Sequence, residues 1–254
     1  MNHLYSLFAI FIVFNEVSGI KRPSYFPTCY RNDPQLNQCL LNATEQVRPY
    51  LAKGVPELKI PPFEPFMLPE LKLEQGTNAL NFKAVLNNVL IHGMSKYKFS
   101  RFDFDVPNHQ FFCQASVENI SLEGQYKVTG RILIAPIEGN GKFTAQIDAA
   151  NVVVYQKYKE ATLKDGKIHL VPVATNTSIE VVKPRANLDG LFNGNEAMNQ
   201  ATNKAINDNV DVLFGELKPV VEHAISRILE DLLFKTIIET IPYDELYPID
   251  PKFN

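Results

Sequence analysis

The sequence predicts an α+β fold in which one long C-terminal α-helix is wrapped by a strongly curved antiparallel β-sheet. Three observations carry this. Apolar residues recur at steps of three and four from about Asn195 to Ile241, the segment before it alternates apolar and polar for about a hundred residues, and that alternation slips phase in places.

Leu4–Phe14 is an apolar run followed by Glu16 and the small pair Ser18-Gly19, so Met1–Gly19 reads as a signal peptide cleaved before Ile20. The run is too short to span a bilayer, and no later apolar stretch is long enough, which points to a secreted, extracellular protein without stable membrane insertion. Two further features agree. Asn42-Ala43-Thr44, Asn119-Ile120-Ser121 and Asn176-Thr177-Ser178 are N-glycosylation acceptor triplets. Cys29 and Cys39 lie close together, where a bridge would tie down the N-terminus by roughly 3 kcal/mol. Cys113 is left over; it lies in an apolar strand and reads as a buried, inert thiol.

From Pro34 to Tyr50 the apolar positions Leu36, Leu40, Leu41, Ala43 and Val47 predict a short helix, capped by Asp33 ahead of Pro34. Gly54–Phe66 is rich in proline and large apolar residues, too stiff for a helix, and predicts an extended strap packed on the body. Beyond Leu71 strands follow, visible in Phe82-Ala84-Leu86, Tyr97-Phe99, Phe102-Phe104-Val106, Tyr126-Val128 with Ile132-Ile134, and Phe143-Ala145-Ile147-Ala149. Gly139-Asn140-Gly141 and Asp165-Gly166 predict hairpin turns, because these residues accept positive φ. Apolar residues change phase between Phe99 and Phe102 and between Val117 and Ile120, which calls for bulges or sharp bends that curl the sheet.

The C-terminal helix has Met198, Ala201, Ala205, Val210, Leu213, Phe214, Leu217, Val221, Ala224, Ile225, Ile228 and Leu232 on one face, with Asn203, Lys204, Asp208, Asp211, Glu216 and Glu222 among the polar residues between them. At ~1.5 Å per residue it would be roughly 70 Å long, so something equally long must cover it. Asn193 or Asn195 is expected to cap it, Pro219 to kink or break it, and Pro242 to end it.

With 254 residues and a formal net charge of -3, no strong field recommends nucleic acid or an anionic membrane. Catalytic motifs are lacking. Gly93-Met94-Ser95-Lys96-Tyr97 lacks the second glycine of a serine elbow. His92, His109, His169 and His223 are scattered without metal-ligand spacing, and the glycine-rich Gly139-Asn140-Gly141-Lys142 has Pro136 where a phosphate loop needs its first glycine. No cofactor, metal or enzymatic activity is expected.

The Cys29 and Cys39 pair, the strap Gly54-Val55-Pro56-Glu57-Leu58-Lys59-Ile60-Pro61-Pro62, the run Asn187–Gly194, Phe214–Pro219 and the ending Ile241–Pro248 together resemble the insect juvenile-hormone-binding and takeout proteins, members of the tubular lipid-binding superfamily. The resemblance covers nearly the whole mature chain and implies one domain over Ile20–Asn254, with a tunnel between helix and sheet that holds a small hydrophobic ligand, a juvenile-hormone-like terpenoid or other lipid. It also implies a secreted carrier, some relatives affecting feeding, circadian output or chemosensation, and an unidentified receptor as partner. Cys113 lacks a mate for the second, deeper disulfide associated with hormone carriers, which points to the takeout branch.

A carrier of this kind needs an apolar enclosure. The candidate ligand-lining residues are Leu213, Phe214, Leu217, Val221, Ile225 and Ile228 on the helix and Phe102, Phe104, Phe111, Tyr126, Phe143 and Val152 on strands, with Tyr126, Tyr155 or Tyr97 offering a hydroxyl to orient the guest. The alternative readings are an interaction or signalling protein without stable cargo, and a lipid esterase.

Overall fold

The computed structural model describes residues 21–76, 80–132 and 135–253; the expected leader, Met1–Gly19, lies outside the described residues. Cys29 and Cys39 form a disulfide with Cα atoms 5.8 Å apart. Beside it the two chain ends are laced together. Arg31 donates to the Tyr247 carbonyl (2.8 Å), and the Asn32 amide exchanges hydrogen bonds of 2.9 Å with the backbone of Asp250. The first helix, α1 (Leu36–Lys53), starts later than expected and runs on through Pro49 until Gly54, whose φ of +85° ends it. The Asp33 carboxylate accepts from the Gln35 N–H (2.8 Å), so it ties the approach turn rather than the helix itself. The strap is packed down as expected, Val55 and Leu58 being fully buried and Ile60 nearly so, but it is not extended throughout: Pro56–Leu58 form a 3-10 turn, proline being tolerated at its first position, and Val55 and Ile60 close it with reciprocal backbone bonds of 2.9 and 3.1 Å.

Among the described residues seven antiparallel strands form one sheet: β1 (Phe66–Gly76), β2 (Leu80–His92), β3 (Lys98–Asp105), β4 (Gln110–Ile132), β5 (Ala135–Thr162), β6 (Ile168–Val182) and β7 (Arg185–Leu188). Their order is β1-β2-β4-β5-β6, with β3 added to β4 and β7 to β5. The first strand begins ahead of Leu71. Pro69, which cannot donate into a ladder, hides it in the sequence, and the strand lies at the sheet edge where proline is tolerated. With 28 residues, β5 would measure about 90 Å if straight, far more than a domain of this size spans, so the sheet must curl.

Both expected phase slips are present. Register shifts between Phe99 and Arg101, and Val117 and Ile120, three apart, are both buried because Asn119 between them is left-handed (φ +54°). Further shifts lie at Asn87/Leu90 and Lys157/Tyr158. Asp165-Gly166 is the turn joining β5 to β6, with Gly166 at φ +75°. The other hairpin expectation is corrected. Gly139-Asn140-Gly141 lies within β5, opposite Val128, Lys127 and Tyr126, and the β4–β5 turn, with Ile134, falls outside the described residues. The glycines serve close approach instead: a Cβ at Gly141 would sit 2.1 Å from the Asp189 carbonyl oxygen, and one at Gly139 2.9 Å from the Leu191 Cα.

The single expected C-terminal helix is three segments: α2 (Glu196–Asp208), α3 (Val210–Leu229) and a π-helix over Glu230–Ile238, followed by the short α4 (Tyr243–Leu246). Asn195 is the N-cap, its side chain accepting from the Met198 N–H (3.1 Å). The break is at Asn209, not at Pro219, which α3 runs through with Gly215 leaving room one turn before it. At Asn209 the side-chain amide takes the Ala205 carbonyl (2.8 Å) while the backbone N–H bonds Ile206, three residues back (3.3 Å), so the side chain outcompetes the helical bond.

On α2 the expected faces are reversed. Met198 is 47% exposed and Ala201 and Ala205 are exposed, while Asn199 and Asn203 are each only 8% exposed. Asn199 accepts from the Leu191 N–H (3.0 Å); Asn203 accepts from the Leu188 N–H (2.8 Å) and donates to its carbonyl (2.9 Å); Asn207 does the same at Ala186 (2.9 and 2.7 Å). Asparagine at every fourth helical position thus replaces the missing neighbour of β7, satisfying an edge that would otherwise be unpaired.

Candidate functional site

The candidate site is the interior between α3 and the sheet. The helix touches β6 and β1, which end opposite sides of the strand order, so the sheet is rolled around it. Its fastening to β6 is polar. The Glu222 carboxylate accepts from the Ile179 N–H (2.9 Å), Thr177 donates to the Glu222 carbonyl (2.6 Å) and lies 2.9 Å from the Ser226 hydroxyl, and Lys218 pairs with Glu180.

Apolar coverage of the helix is incomplete. Leu213 and Ser226 are the buried residues of α3, and the π-helix has none. Phe214, Leu217, Val221, Ile225 and Ile228, which alternate with charged positions and face inward by periodicity, are all half-buried, as are Leu232, Leu233, Phe234, Ile237 and Ile238. All but Ile228 and Leu232 of these pack against the buried core yet are not sealed by it.

Eleven of the twelve sequence-predicted lining residues fall into three groups along the interior; Ile228, half-buried on α3, joins none of them. Phe104 and Phe111, with ring centroids 4.0 Å apart, and half-buried Phe102 belong to the cluster that includes the disulfide, Tyr158 and Tyr247. Tyr126, Phe143, Leu213 and Leu217 belong to the cluster around Leu191. Val152, Phe214, Val221 and Ile225 join a middle cluster with Ile179 and Ala150. Phe104, Phe111, Tyr126, Phe143 and Leu213, all at 7% exposure or less, are fully packed core, whereas the middle group is half-buried.

Two of the three expected orienting hydroxyls are already bonded within the protein. Tyr126 donates to the Asp189 carbonyl (2.8 Å) and Tyr97 to the Thr44 carbonyl (3.0 Å). Tyr155 is half-buried on β5. Burial, with Asp189 nearby, pushes the Tyr126 hydroxyl up to about 12. The sequence reading missed Tyr243, whose buried hydroxyl has no hydrogen-bond partner among the described residues. Burial pushes it up to about 12, the Arg31 guanidinium 4.5 Å above its ring opposing the shift, so it is a neutral donor at physiological pH. The only sequence signal for it is its place in the run after Ile241-Pro242.

Cys113 is buried at 9% exposure, and burial followed by the nearby Asp103 charge pushes its thiol up to about 12, so it is not a nucleophile at neutral pH. Ser95 likewise lacks the partner a hydrolase needs. Its hydroxyl donates to the Glu64 carboxylate (2.9 Å), and His92 lies 3.6 Å away on the other carboxylate oxygen, so the carboxylate stands between serine and imidazole. Burial raises the Glu64 carboxyl, but bonds from the Ser95 hydroxyl and the Ser95 and Gly93 N–H groups outweigh it and hold the group below its ordinary range. Glu64 is thus a clamp on the turn after β2. Among the described residues no three His, Cys, Asp or Glu side chains converge as metal ligands, and no helix is long and apolar enough to cross a membrane. Asn42, Asn119 and Asn176 are all exposed.

The family model described as haemolymph juvenile hormone binding protein matches residues 7–248. The circadian clock-controlled protein daywake of Drosophila melanogaster is 22% identical over 233 residues, 89% of this chain and 88% of that protein. Its Drosophila yakuba counterpart is 23% identical over 221 residues, 84% of each chain. The crystal structure of Epiphyas postvittana Takeout 1 superposes with a TM-score of 0.72 at 20% identity, covering 87% of this chain and 99% of that one, which establishes a shared fold.

Proposed function

The chain belongs to the haemolymph juvenile hormone binding protein family, and on that premise we propose that it is a secreted carrier of one small hydrophobic ligand held between α3 and the rolled sheet. The observation that carries this reading is the row of half-buried apolar side chains on α3, inside a sheet both of whose edges reach the helix. Apolar residues that face inward and yet are not covered by protein favour a guest that covers them. The middle group, Val152, Phe214, Val221 and Ile225, is the part of the lining best suited to touch it; Phe104, Phe111, Tyr126, Phe143 and Leu213 act as end walls. Enclosing on the order of 350 Å² of apolar ligand surface contributes roughly 9 kcal/mol before association costs, enough for micromolar binding.

Cleavage of Met1–Gly19 would release a single domain beginning at Ile20 and carrying glycans at one or more of Asn42, Asn119 and Asn176. The ligand class we favour is a juvenile-hormone-like terpenoid or comparable lipid, and the clock-controlled relatives suggest a link to daily, feeding or chemosensory regulation, read out by a receptor yet to be found. The test is organic extraction of the purified mature protein followed by mass spectrometry. A stoichiometric lipid supports the carrier. A ligand-free protein that also rejects hydrophobic fluorescent probes would point to a secreted interaction protein without cargo, and hydrolysis of an added terpenoid ester that depends on one serine would point to an esterase.

A further inference from the structure

The sheet has a gap on its outer side. β2 leaves β4 at the pair His92–Ser121, and β3 joins β4 only at Lys98–Ser116, so on that side Val117–Ile120 of β4 has no strand partner among the described residues. The turn between them crosses this stretch closely. Gly93 is at φ +92°, and a Cβ there would lie 2.7 Å from the Asn119 carbonyl oxygen. What remains of the gap is a cleft of about 350 Å³, lined by Arg48 from α1, Ser95 and Lys96 from the turn, Lys98 from β3, and Ser116, Glu118 and Asn119 from β4. Its size suits a small ligand. Its charge is mixed. Arg48 already pairs with Glu45 (2.6 Å) and donates to the Tyr97 carbonyl (3.1 Å), and Glu118 stands in the wall, which disfavours a free anion and suits a neutral molecule rich in hydroxyl and amide groups.

Such a molecule has a tether point at the rim. Asn119, exposed and left-handed, is the acceptor of the triplet Asn119-Ile120-Ser121. The other two acceptors are placed differently: Asn42 accepts from Gln38 on α1 (3.0 Å), with Thr44 of its triplet buried, and Asn176 sits within β6 opposite Tyr155. We propose that Asn119 carries an N-linked glycan whose first N-acetylglucosamine folds back into this cleft, its hydroxyl and amide groups meeting Lys96, Lys98 and Arg48. The sugar then fills the gap between the β2 and β3 pairings and joins α1 to the sheet. The bond forms between Asn119 Nδ2 and the sugar C1 as the C1–oxygen bond to a lipid-diphosphate oligosaccharide donor breaks, the displaced diphosphate leaving with the proton from Nδ2. The inference rests on the secretory reading above and is independent of which lipid is carried.

The full chain, secreted from insect cells, is compared with the Ser121→Ala variant and with wild-type protein deglycosylated enzymatically after purification, so that a folding defect in the variant cannot decide the outcome. Peptide mass mapping should find the glycan on Asn119. Acylation of Lys96 and Lys98 should be several-fold slower in the glycosylated protein than in both unglycosylated forms, with Lys164 on the β5–β6 turn unchanged, and trimming to a single N-acetylglucosamine should keep that protection. Secreted protein with Asn119 bare, or glycosylated protein whose Lys96 and Lys98 react as fast as in the unglycosylated forms, overturns this inference alone. Retention of an unprocessed chain in the cell overturns the secretory reading together with it.

Discussion

Replacing Asn203 by alanine removes the central rung of the asparagine ladder. The Leu188 N–H and carbonyl lose their partners at 2.8 and 2.9 Å, and among the described residues no strand lies on that side of β7 to replace them. An unsatisfied buried backbone group costs about 1–3 kcal/mol; because Leu188 is half-buried, the lower end applies, about 1–1.5 kcal/mol for each of the two. Alanine recovers about 0.5 kcal/mol as the better helix former, so the net loss is about 2 kcal/mol. For a domain of this length that lowers the melting temperature by roughly 4–8 °C. Met198→Ala, on the exposed face of the same helix, should change stability by less than about 0.5 kcal/mol. Asn203→Asp keeps the acceptor for the Leu188 N–H but sets a carboxylate against the Leu188 carbonyl, and should be at least as damaging as alanine. Thermal melts are paired with hydrogen exchange at the Leu188 amide, which should lose protection in Asn203→Ala. An Asn203→Ala protein as stable as Met198→Ala, with that amide still protected, would refute the ladder's role.

Three further outcomes follow from the geometry. Glu64 has a folded pKa below its ordinary 4.5, so its contribution to stability is full above that value and is lost as pH falls through the lower folded pKa; acid-unfolding profiles of Glu64→Gln should lack this component. Cys113, with its thiol at about 12, should resist thiol reagents at pH 8 in the folded protein and react at a normal rate in denaturant; equal rates in both states would contradict its burial. Ala145 shares its strand face with Phe143 and is half-buried, so Ala145→Phe should weaken binding of long ligands before short ones, measured by competition with a series of chain lengths; unchanged selectivity would count against its place on the lining.

Much of the sheet was legible because β2, β3, the second half of β4 and the middle of β5 alternate apolar and polar residues and Asp165-Gly166 marks the turn into β6; the three-residue step from Val117 to Ile120 in an otherwise alternating strand marks the left-handed Asn119 between them. The helix was half legible. Apolar spacing identifies α3, whose Leu213, Phe214, Leu217, Val221 and Ile225 do face the core, but the same spacing misassigns α2, where Met198, Ala201 and Ala205 face water. What holds α2 is hydrogen bonding by Asn199, Asn203 and Asn207 to a strand edge, and a hydropathy pattern scores those residues as surface. Gly139 and Gly141 misled for a related reason. Glycine signals backbone freedom in a turn and backbone proximity in a crossing alike, and only the approach of Asp189 and Leu191 separates the two. Among the lining candidates, residue type did not separate the packed Phe104, Phe111, Tyr126, Phe143 and Leu213 from the seven that are half-buried, because that difference is set by what lies opposite each side chain.

The lacing of Arg31 and Asn32 to Tyr247 and Asp250 makes the beginning and end of the folded chain neighbours. A short linker can therefore splice them into a ring, and fresh termini can be opened at the solvent-facing Asp165-Gly166 turn without cutting any strand. A circularly permuted chain of this kind would carry a reporter domain on the β5–β6 turn, whose strands reach the cluster holding Tyr158 and Leu170, so that a change in how that cluster packs around a guest becomes a change in the reporter.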